Sequence, residues 1–192
     1  MAGLVIGLTA YAGSGKTAVA EMLKKQGFSH AKFAAPLKAG FRGMLSEMGF
    51  RPDTIERMVE GDLKESSFGA LSGSTPREWM QWLGNEARET FGEDVWVNPM
   101  IHKLLDFKAG PVIIDDVRYA NEANAIRGLG GFIWHIDRPG VGPVNGHVSE
   151  NIVPSDLTIN NDSDLLSLEN DVATALLFTQ HEFENRKGKA DV

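Results

Sequence analysis

Apolar and polar positions alternate along this chain in blocks that predict strands and helices in turn. Residues 4–8 are a short apolar run, the pattern of a buried strand, and they lead directly into a Gly-rich turn. A helix is expected over residues 17–26, stopped by Gly27, and a second strand over residues 30–34. Leu37, Phe41, Met44, Leu45 and Met48 then recur at the spacing of one helix face. A short helix follows over residues 53–60. A longer one opens at Thr75, where Thr75-Pro76-Arg77-Glu78 has the form of a capping box with Pro at the first helical position. Along that helix Trp79, Leu83 and Ala87 are expected to face the core. Asn98-Pro99 reads as the cap and first turn of another helix. Strands are predicted at residues 111–116, 132–136 and 157–160, and helices at residues 121–129 and 163–180. The tail from Glu182 is polar and is expected to fray.

Strands that alternate with helices imply an α/β fold with a parallel sheet covered on both faces. Ligands of such sheets collect at the carboxyl ends of the strands. Two Gly/Pro/Ser-rich stretches, residues 61–75 and 139–150, exceed the usual connection length and suggest binding loops or lids rather than plain surface turns. At 192 residues the chain suits one domain with an inserted lobe and needs no covalent staple. No apolar run spans a membrane, no signal peptide is evident, and with no cysteine the chain has no disulfide framework or Cys-based metal site. These features fit a cytoplasmic location. A net charge of −7 disfavours broad nucleic-acid binding.

The chemistry concentrates at the predicted strand ends. Residues 10–17 (AYAGSGKT) follow the pattern G-x-x-x-x-G-K-[ST], with Ala10 in place of the first Gly. Gly13 and Gly15 let backbone N–H groups turn inward around phosphate oxygens, and the following helix adds the positive end of its dipole. Lys16 is placed to reach the β- and γ-phosphates, and the Thr17 hydroxyl to ligate Mg²⁺. Ala10 is a mild departure provided that its φ stays negative.

Residues 112–115 (VIID) end a strand in an acid, as a Mg²⁺-holding strand does. Asp115 and Asp116 fall on opposite sides by alternation, so one of them is expected at the metal, with Asp115 favoured. Arg118 follows at once and suits a second phosphate group; a structural Asp–Arg pair is the alternative. On the helix opened by Thr75, residues Arg77, Gln81, Gly84 and Arg88 form one stripe. Two cations, an amide and a glycine make a nucleotide cradle, set against a solvated face of Arg–Glu pairs with Glu78, Glu89 or Glu93. Arg138 opens the second Gly/Pro-rich loop and is the candidate arginine finger. His147 and Glu150 in that loop read as lid or substrate contacts.

These residues together resemble the bacteriophage deoxynucleoside monophosphate kinases, members of the P-loop kinase superfamily that includes adenylate and dephospho-coenzyme A kinases. The resemblance rests on residues 7–17 (GLTAYAGSGKT), 33–38 (FAAPLK), 75–88 (TPREWMQWLGNEAR), 92–97 (GEDVWV), 115–122 (DDVRYANE), 147–150 (HVSE) and the 156–161 segment. It implies a P-loop NTPase three-layer αβα sandwich. A helical insertion that binds the nucleoside monophosphate (NMP) would span about residues 36–110, and a short lid about 138–150. The polar tail would be residues 182–192. It implies transfer of a phosphoryl group from ATP, with Mg²⁺, to a deoxynucleoside 5′-monophosphate (dNMP). Ala12, Gly13, Ser14, Gly15, Lys16 and Thr17 would then bind ATP phosphates, with Asn160 and Asn161 at the adenine. Arg77, Gln81, Arg88 and Arg118 would hold the monophosphate, with Lys38, Trp96, His147 and Glu150 as further candidates. Lys16, Arg118 and Arg138 would spread the charge of the transferring group. A phage-encoded enzyme would work in the host-cell cytoplasm.

Three alternatives stand beside this reading. They are a P-loop kinase with another acceptor (dephospho-coenzyme A or a modified base in DNA), an ATP-binding sensor, and a simple nucleotide switch. The guanine-reading N-K-x-D tetrapeptide of a GTPase is absent. The sequence leaves base preference undecided, and leaves both monomer and homodimer open.

Overall fold

Strands β1 (Val5–Thr9), β2 (Ser29–Ala31), β3 (Val112–Ile114), β4 (Phe132–Asp137) and β5 (Leu157–Asn160) pair in parallel in the spatial order β2-β3-β1-β4-β5. The computed structural model describes residues 3–106, 110–143 and 153–190. Between and after the strands run helices α1 (Lys16–Lys25), α2 (Ala35–Glu47), α3 (Pro52–Val59), α4 (Pro76–Phe91), α5 (Val97–Asp106), α6 (Ala120–Gly128) and α7 (Leu165–Ala190). The chain divides into two units: Met1–Phe33 with Met100–Val192, and Ala34–Pro99.

The first unit holds the sheet. Alternation along its strands separates two faces. Ile6, Leu8, Ile113, Phe132, Trp134 and Ile136 bury one face against Val19 and Leu23 of α1 and Leu168, Val172 and Leu176 of α7. The opposite face meets α6 and the turn before it. There Gly7 lies so close to Ile126, Ile133 and Val117 that a Cβ at Gly7 would stand 2.7–2.9 Å from their side chains. Helices on both faces make this a three-layer αβα arrangement. Because β1 is central, with β3 on one side and β4 on the other, its carboxyl end opens at the switch point where α/β sheets bind ligands.

The last two strands are pinned by Asp156. Its Oδ2 accepts from the Ile133 N–H (2.7 Å) and its own N–H donates to the Ile133 carbonyl (2.8 Å). The closing helix departs from expectation. The polar tail does not fray at residue 182: α7 continues to Ala190 because Phe183 is buried in the sheet core and the Arg186 guanidinium lies 4.1 Å over the Phe132 ring. One apolar anchor and one cation–π contact suffice to order a sequence that reads as solvated.

The second unit is helical. Phe41 and Leu45 of α2, Ile55, Met58 and Val59 of α3, Leu71 and Met80 form its core. Met48, assigned to the same face of α2, is instead exposed at its end. The long connection 61–75 is not a bare loop. It contains 3-10 turns at Asp62–Glu65 and Gly69–Leu71, buries Leu71 completely, and stacks Phe68 edge-on to Phe50 at 5.9 Å. The α4 capping box forms as predicted, with the Glu78 N–H donating to Thr75 Oγ1 and the Thr75 N–H donating to the Glu78 carboxylate. Two details differ. The buried stripe of α4 is Pro76, Met80 and Gly84, with Trp79, Leu83 and Ala87 only half-buried beside it. Helix α5 begins at Val97, so Asn98-Pro99 lie within its first turn, where the missing proline N–H is not needed.

Candidate active site

The loop after β1 is shaped by its glycines. Gly13 (φ 88°) and Gly15 (φ 97°) are left-handed, a conformation that side-chain-bearing residues adopt at a cost. Ala10 keeps a negative φ, so the loop forms without the first Gly of the pattern. Gly15 caps α1 without a side-chain hydrogen bond, which leaves the first N–H groups of the helix for a ligand. Lys16 and Thr17 open the helix, and Thr17 is exposed. Ser14 Oγ is buried and makes no hydrogen bond.

Lys16 stands at the centre of the charges. Burial lowers the pKa of its ammonium, and nearby Arg118 lowers it further; Asp115 and Asp116 pull it back up, and Lys32 adds a smaller repulsion. The loop lysine, the arginine after β3 and both acids therefore share one electrostatic neighbourhood.

The two acids have different employment. Asp116 Oδ1 accepts from the Phe33 N–H (2.9 Å), tying the end of β3 to the chain beyond β2. Asp115 Oδ1 lies 2.9 Å from His30 Nε2 and 3.9 Å from Lys32 Nζ, close enough for ion pairing yet outside hydrogen-bond geometry. Arg118 is exposed, but its backbone is held. Glu122, a buried carboxylate, accepts from the N–H groups of Arg118 (2.8 Å) and Tyr119 (3.1 Å). Sequence reading passed over this glutamate. Its signals were its place at the start of a helix and at the end of the 115–122 stretch that carries the resemblance.

Two side chains from the ends of β4 and β5 grip the glycine loop. Asn161 Nδ2 donates to the Ser14 carbonyl (2.9 Å), and Arg138 Nη1 donates to the Gly13 carbonyl (3.3 Å). The Asn161 amide crowds Gly15 so closely that a Cβ there would collide with it. Asn160 is exposed, in register with Asp137. His147 and Glu150 lie outside the described residues, as does the 144–150 part of the expected lid.

In the helical unit the α4 stripe divides. Arg77 and Gln81 are exposed and Arg88 is half-buried. Gly84 is not an open approach for a ligand: it is buried, and a Cβ added there would meet Leu37 of α2 at 3.5 Å. Arg77 pairs with Glu65 rather than with a carboxylate of its own helix. Trp96 is half-buried and donates its indole N–H to the Gly84 carbonyl (3.1 Å), so the ring is tethered to α4. Lys38 pairs with Glu60 (2.7 Å), and Arg42 bridges Glu56 (2.7 Å) and Glu60 (3.3 Å).

No described helix is long and apolar enough to cross a membrane. Among solved structures, the Thermus thermophilus protein TT1252 superposes with a TM-score of 0.55 at 17% identity, over 92% of this chain and 97% of that one, which shows a shared fold. A protein of Acanthamoeba polyphaga mimivirus, named provisionally as a deoxynucleotide monophosphate kinase, is 29% identical over 77% of this chain and 80% of its own length. The sequence also matches the deoxynucleotide monophosphate kinase family over residues 53–172, a span that holds the α4 stripe, the acids after β3 and the asparagines at the end of β5. The chain belongs to the deoxynucleotide monophosphate kinase family and is a phosphotransferase that acts on a deoxynucleoside monophosphate.

Proposed function

We propose that the sheet unit binds ATP at the loop after β1 and that the helical unit binds the deoxynucleoside monophosphate through the α4 side chains. The observation that carries this is Lys16: a half-buried, electrostatically strained ammonium at a left-handed glycine loop, in the field of Arg118 and two acids. A polyphosphate relieves that strain, and water does so less well in a partly dry site.

In this reading the loop N–H groups of residues 12–17 and the Lys16 ammonium hold the donor phosphates. Arg77, Gln81 and Arg88 hold the acceptor nucleotide, with Lys38 and Trp96 contributing. The acceptor phosphate is already an anion, so no strong base is needed, and catalysis rests on alignment and on spreading charge. Lys16, Arg118 and Arg138 supply that charge, and Glu122 positions Arg118. Thr17 and Asp115 offer hard oxygen donors, which suit Mg²⁺, a cation that takes one or two protein carboxylates and completes its shell with substrate phosphates and water. Asp115 fits better than Asp116, whose Oδ1 is engaged by the Phe33 N–H. Mg²⁺ would neutralise charge on the nucleotide phosphates.

The test is direct. The protein is incubated with ATP, Mg²⁺ and, separately, dAMP, dGMP, dCMP, dTMP and hydroxymethylated dCMP, and the products are separated. At least one diphosphate is expected. ATP binding with no phosphorylated acceptor would overturn the assignment and direct attention to dephospho-coenzyme A or DNA-borne acceptors.

Asn161 provides a second test. Its amide satisfies a loop carbonyl and holds the loop against Gly15, so it acts on ATP through the loop rather than through the base. Asn161→Ala is expected to raise the KM for ATP about tenfold, the cost of one lost hydrogen bond in a partly buried site, and to leave the KM for the monophosphate unchanged. An unchanged KM for ATP in steady-state kinetics would exclude the brace.

A further inference from the structure

The edge strand β2 carries a histidine, His30, at the side of the acids that follow β3. The two strands run parallel, with His30 opposite Ile113 and Ala31 opposite Ile114. Side chains two residues apart on a strand share a face. Ile113 packs in the core with Val19 and Leu23 of α1. Asp115 has the same parity, so it turns toward α1, which opens with Lys16 and Thr17. Asp116 has the other parity and is engaged by the Phe33 N–H. The strand register thus brings His30, Lys32 and Asp115 to one side of the sheet at its carboxyl edge.

The contacts converge on one oxygen. His30 Nε2 lies 2.9 Å from Asp115 Oδ1, and Lys32 Nζ lies 3.9 Å from the same atom. The Asp115 side chain is 14% exposed and that of His30 24%. Oδ1 is buried, and no donor meets it at a hydrogen-bonding angle. A buried carboxylate oxygen without a hydrogen bond is costly to keep. The His30 approach is oblique in the free protein, a common state of contacts that tighten only when the substrate complex forms. Carboxylates that ligate a metal are in turn held by outer partners, which fix their orientation.

We propose that His30 is a positioning residue for the metal: its imidazole holds Asp115 by Oδ1, keeps Oδ2 for Mg²⁺, and acts on phosphoryl transfer through that carboxylate alone. The proposal rests on the reading of Asp115 as the metal carboxylate and adds the residue that orients it. His30 suits the task better than Lys32. It stands closer, and a ring on two torsions loses less freedom than a lysine stem when it is held in one place. A plain ion pair at the strand edge would brace β2 on β3 and leave metal affinity untouched.

The test uses the full-length protein, with Mn²⁺ as the probe. Electron paramagnetic resonance reads the affinity of Mn²⁺ for the protein–ATP complex, with protein in excess over ATP. Asp115→Asn is expected to weaken Mn²⁺ binding. His30→Ala is expected to weaken it about tenfold, the lower end of the loss when the partner of a ligating group is removed. His30→Gln, which keeps a side-chain N–H, should recover most of that loss. In the Asp115→Asn background His30→Ala should add little, because the two residues act as one unit. In steady-state assays His30→Ala should raise the Mg²⁺ concentration needed for half-maximal rate and leave the KM for the monophosphate unchanged. An Mn²⁺ affinity within about twofold of wild type in His30→Ala, or an equal loss with and without the Asp115 carboxylate, would overturn the proposal and leave Asp115 as the metal ligand. Unchanged Mn²⁺ binding in Asp115→Asn would overturn the metal reading itself, and this proposal with it.

Discussion

Lys16→Met is expected to lower phosphoryl transfer by about a thousandfold or more, the scale set by removing a preorganised positive charge from a transferring phosphoryl group. The same variant should be at least as heat-stable as the wild type when no nucleotide is present. The two effects share a cause. Burial and Arg118 lower the Lys16 pKa below the ordinary lysine value of 10.5. Between the lowered value and the ordinary one, the folded chain binds fewer protons than the unfolded chain. Wild-type stability therefore rises with pH across that window, and the charged ammonium costs the fold at every lower pH. Methionine removes the cost and the function together. Nucleotide reverses the sign: a phosphate beside Lys16 favours the charged form, so ATP affinity should weaken as pH rises through the lowered pKa. Single-turnover kinetics and thermal unfolding of the free protein check both halves. Near-normal turnover would remove Lys16 from the mechanism, and a fall in melting temperature would contradict its burial cost.

Gly131→Ala should destabilise the protein by about 3 kcal/mol or more, the upper range for forcing atoms into a packed interior. Gly130 (φ 78°) and Gly131 form the tight turn from α6 into β4, with the Gly131 N–H donating to the Ile126 carbonyl at 3.0 Å. A Cβ on Gly131 would stand 2.5 Å from the Val5 carbonyl oxygen and 2.9 Å from that of Ile126. Both are backbone atoms of packed elements and cannot swing aside as a side chain can. For a chain of this size the melting temperature should drop by about 6–12 °C. Gly128→Ala, where an added Cβ meets nothing within 4 Å, serves as the control and should change stability by about 0.5 kcal/mol or less. Equal effects from the two substitutions would show that the turn yields. Because β4 ends in the residues that carry Arg138 toward the glycine loop, activity should fall in step with the folded fraction of Gly131→Ala.

Much of the architecture was legible along the chain because it depends on local chemistry. The glycine loop needs left-handed residues at fixed offsets, and Gly13 and Gly15 supply them. The α4 capping box needs Thr75 and Glu78 three residues apart, and it forms. The alternation of apolar runs with helical periods required a parallel sheet, and the sheet is parallel throughout. Less was legible where a choice lay between neighbouring stripes of one helix. Periodicity made α4 amphipathic, but whether Trp79 or Met80 led the buried face depended on what α2 offered, and Leu37 took the space that Gly84 leaves.

By itself the sequence determined where the chain would turn, which strand would end in the glycine loop, and which acids and arginines would lie near that strand. Those properties follow from backbone dihedrals and from residues adjacent in the chain. Tertiary structure alone decided which partner each charge meets. It set Asp116 on the Phe33 N–H and Asp115 beside His30. It aimed the Asn161 amide at a loop carbonyl 147 positions earlier and held the polar tail in a helix through Phe183. Charge interactions depend on distance and desolvation, and both are set by packing between residues far apart in the chain.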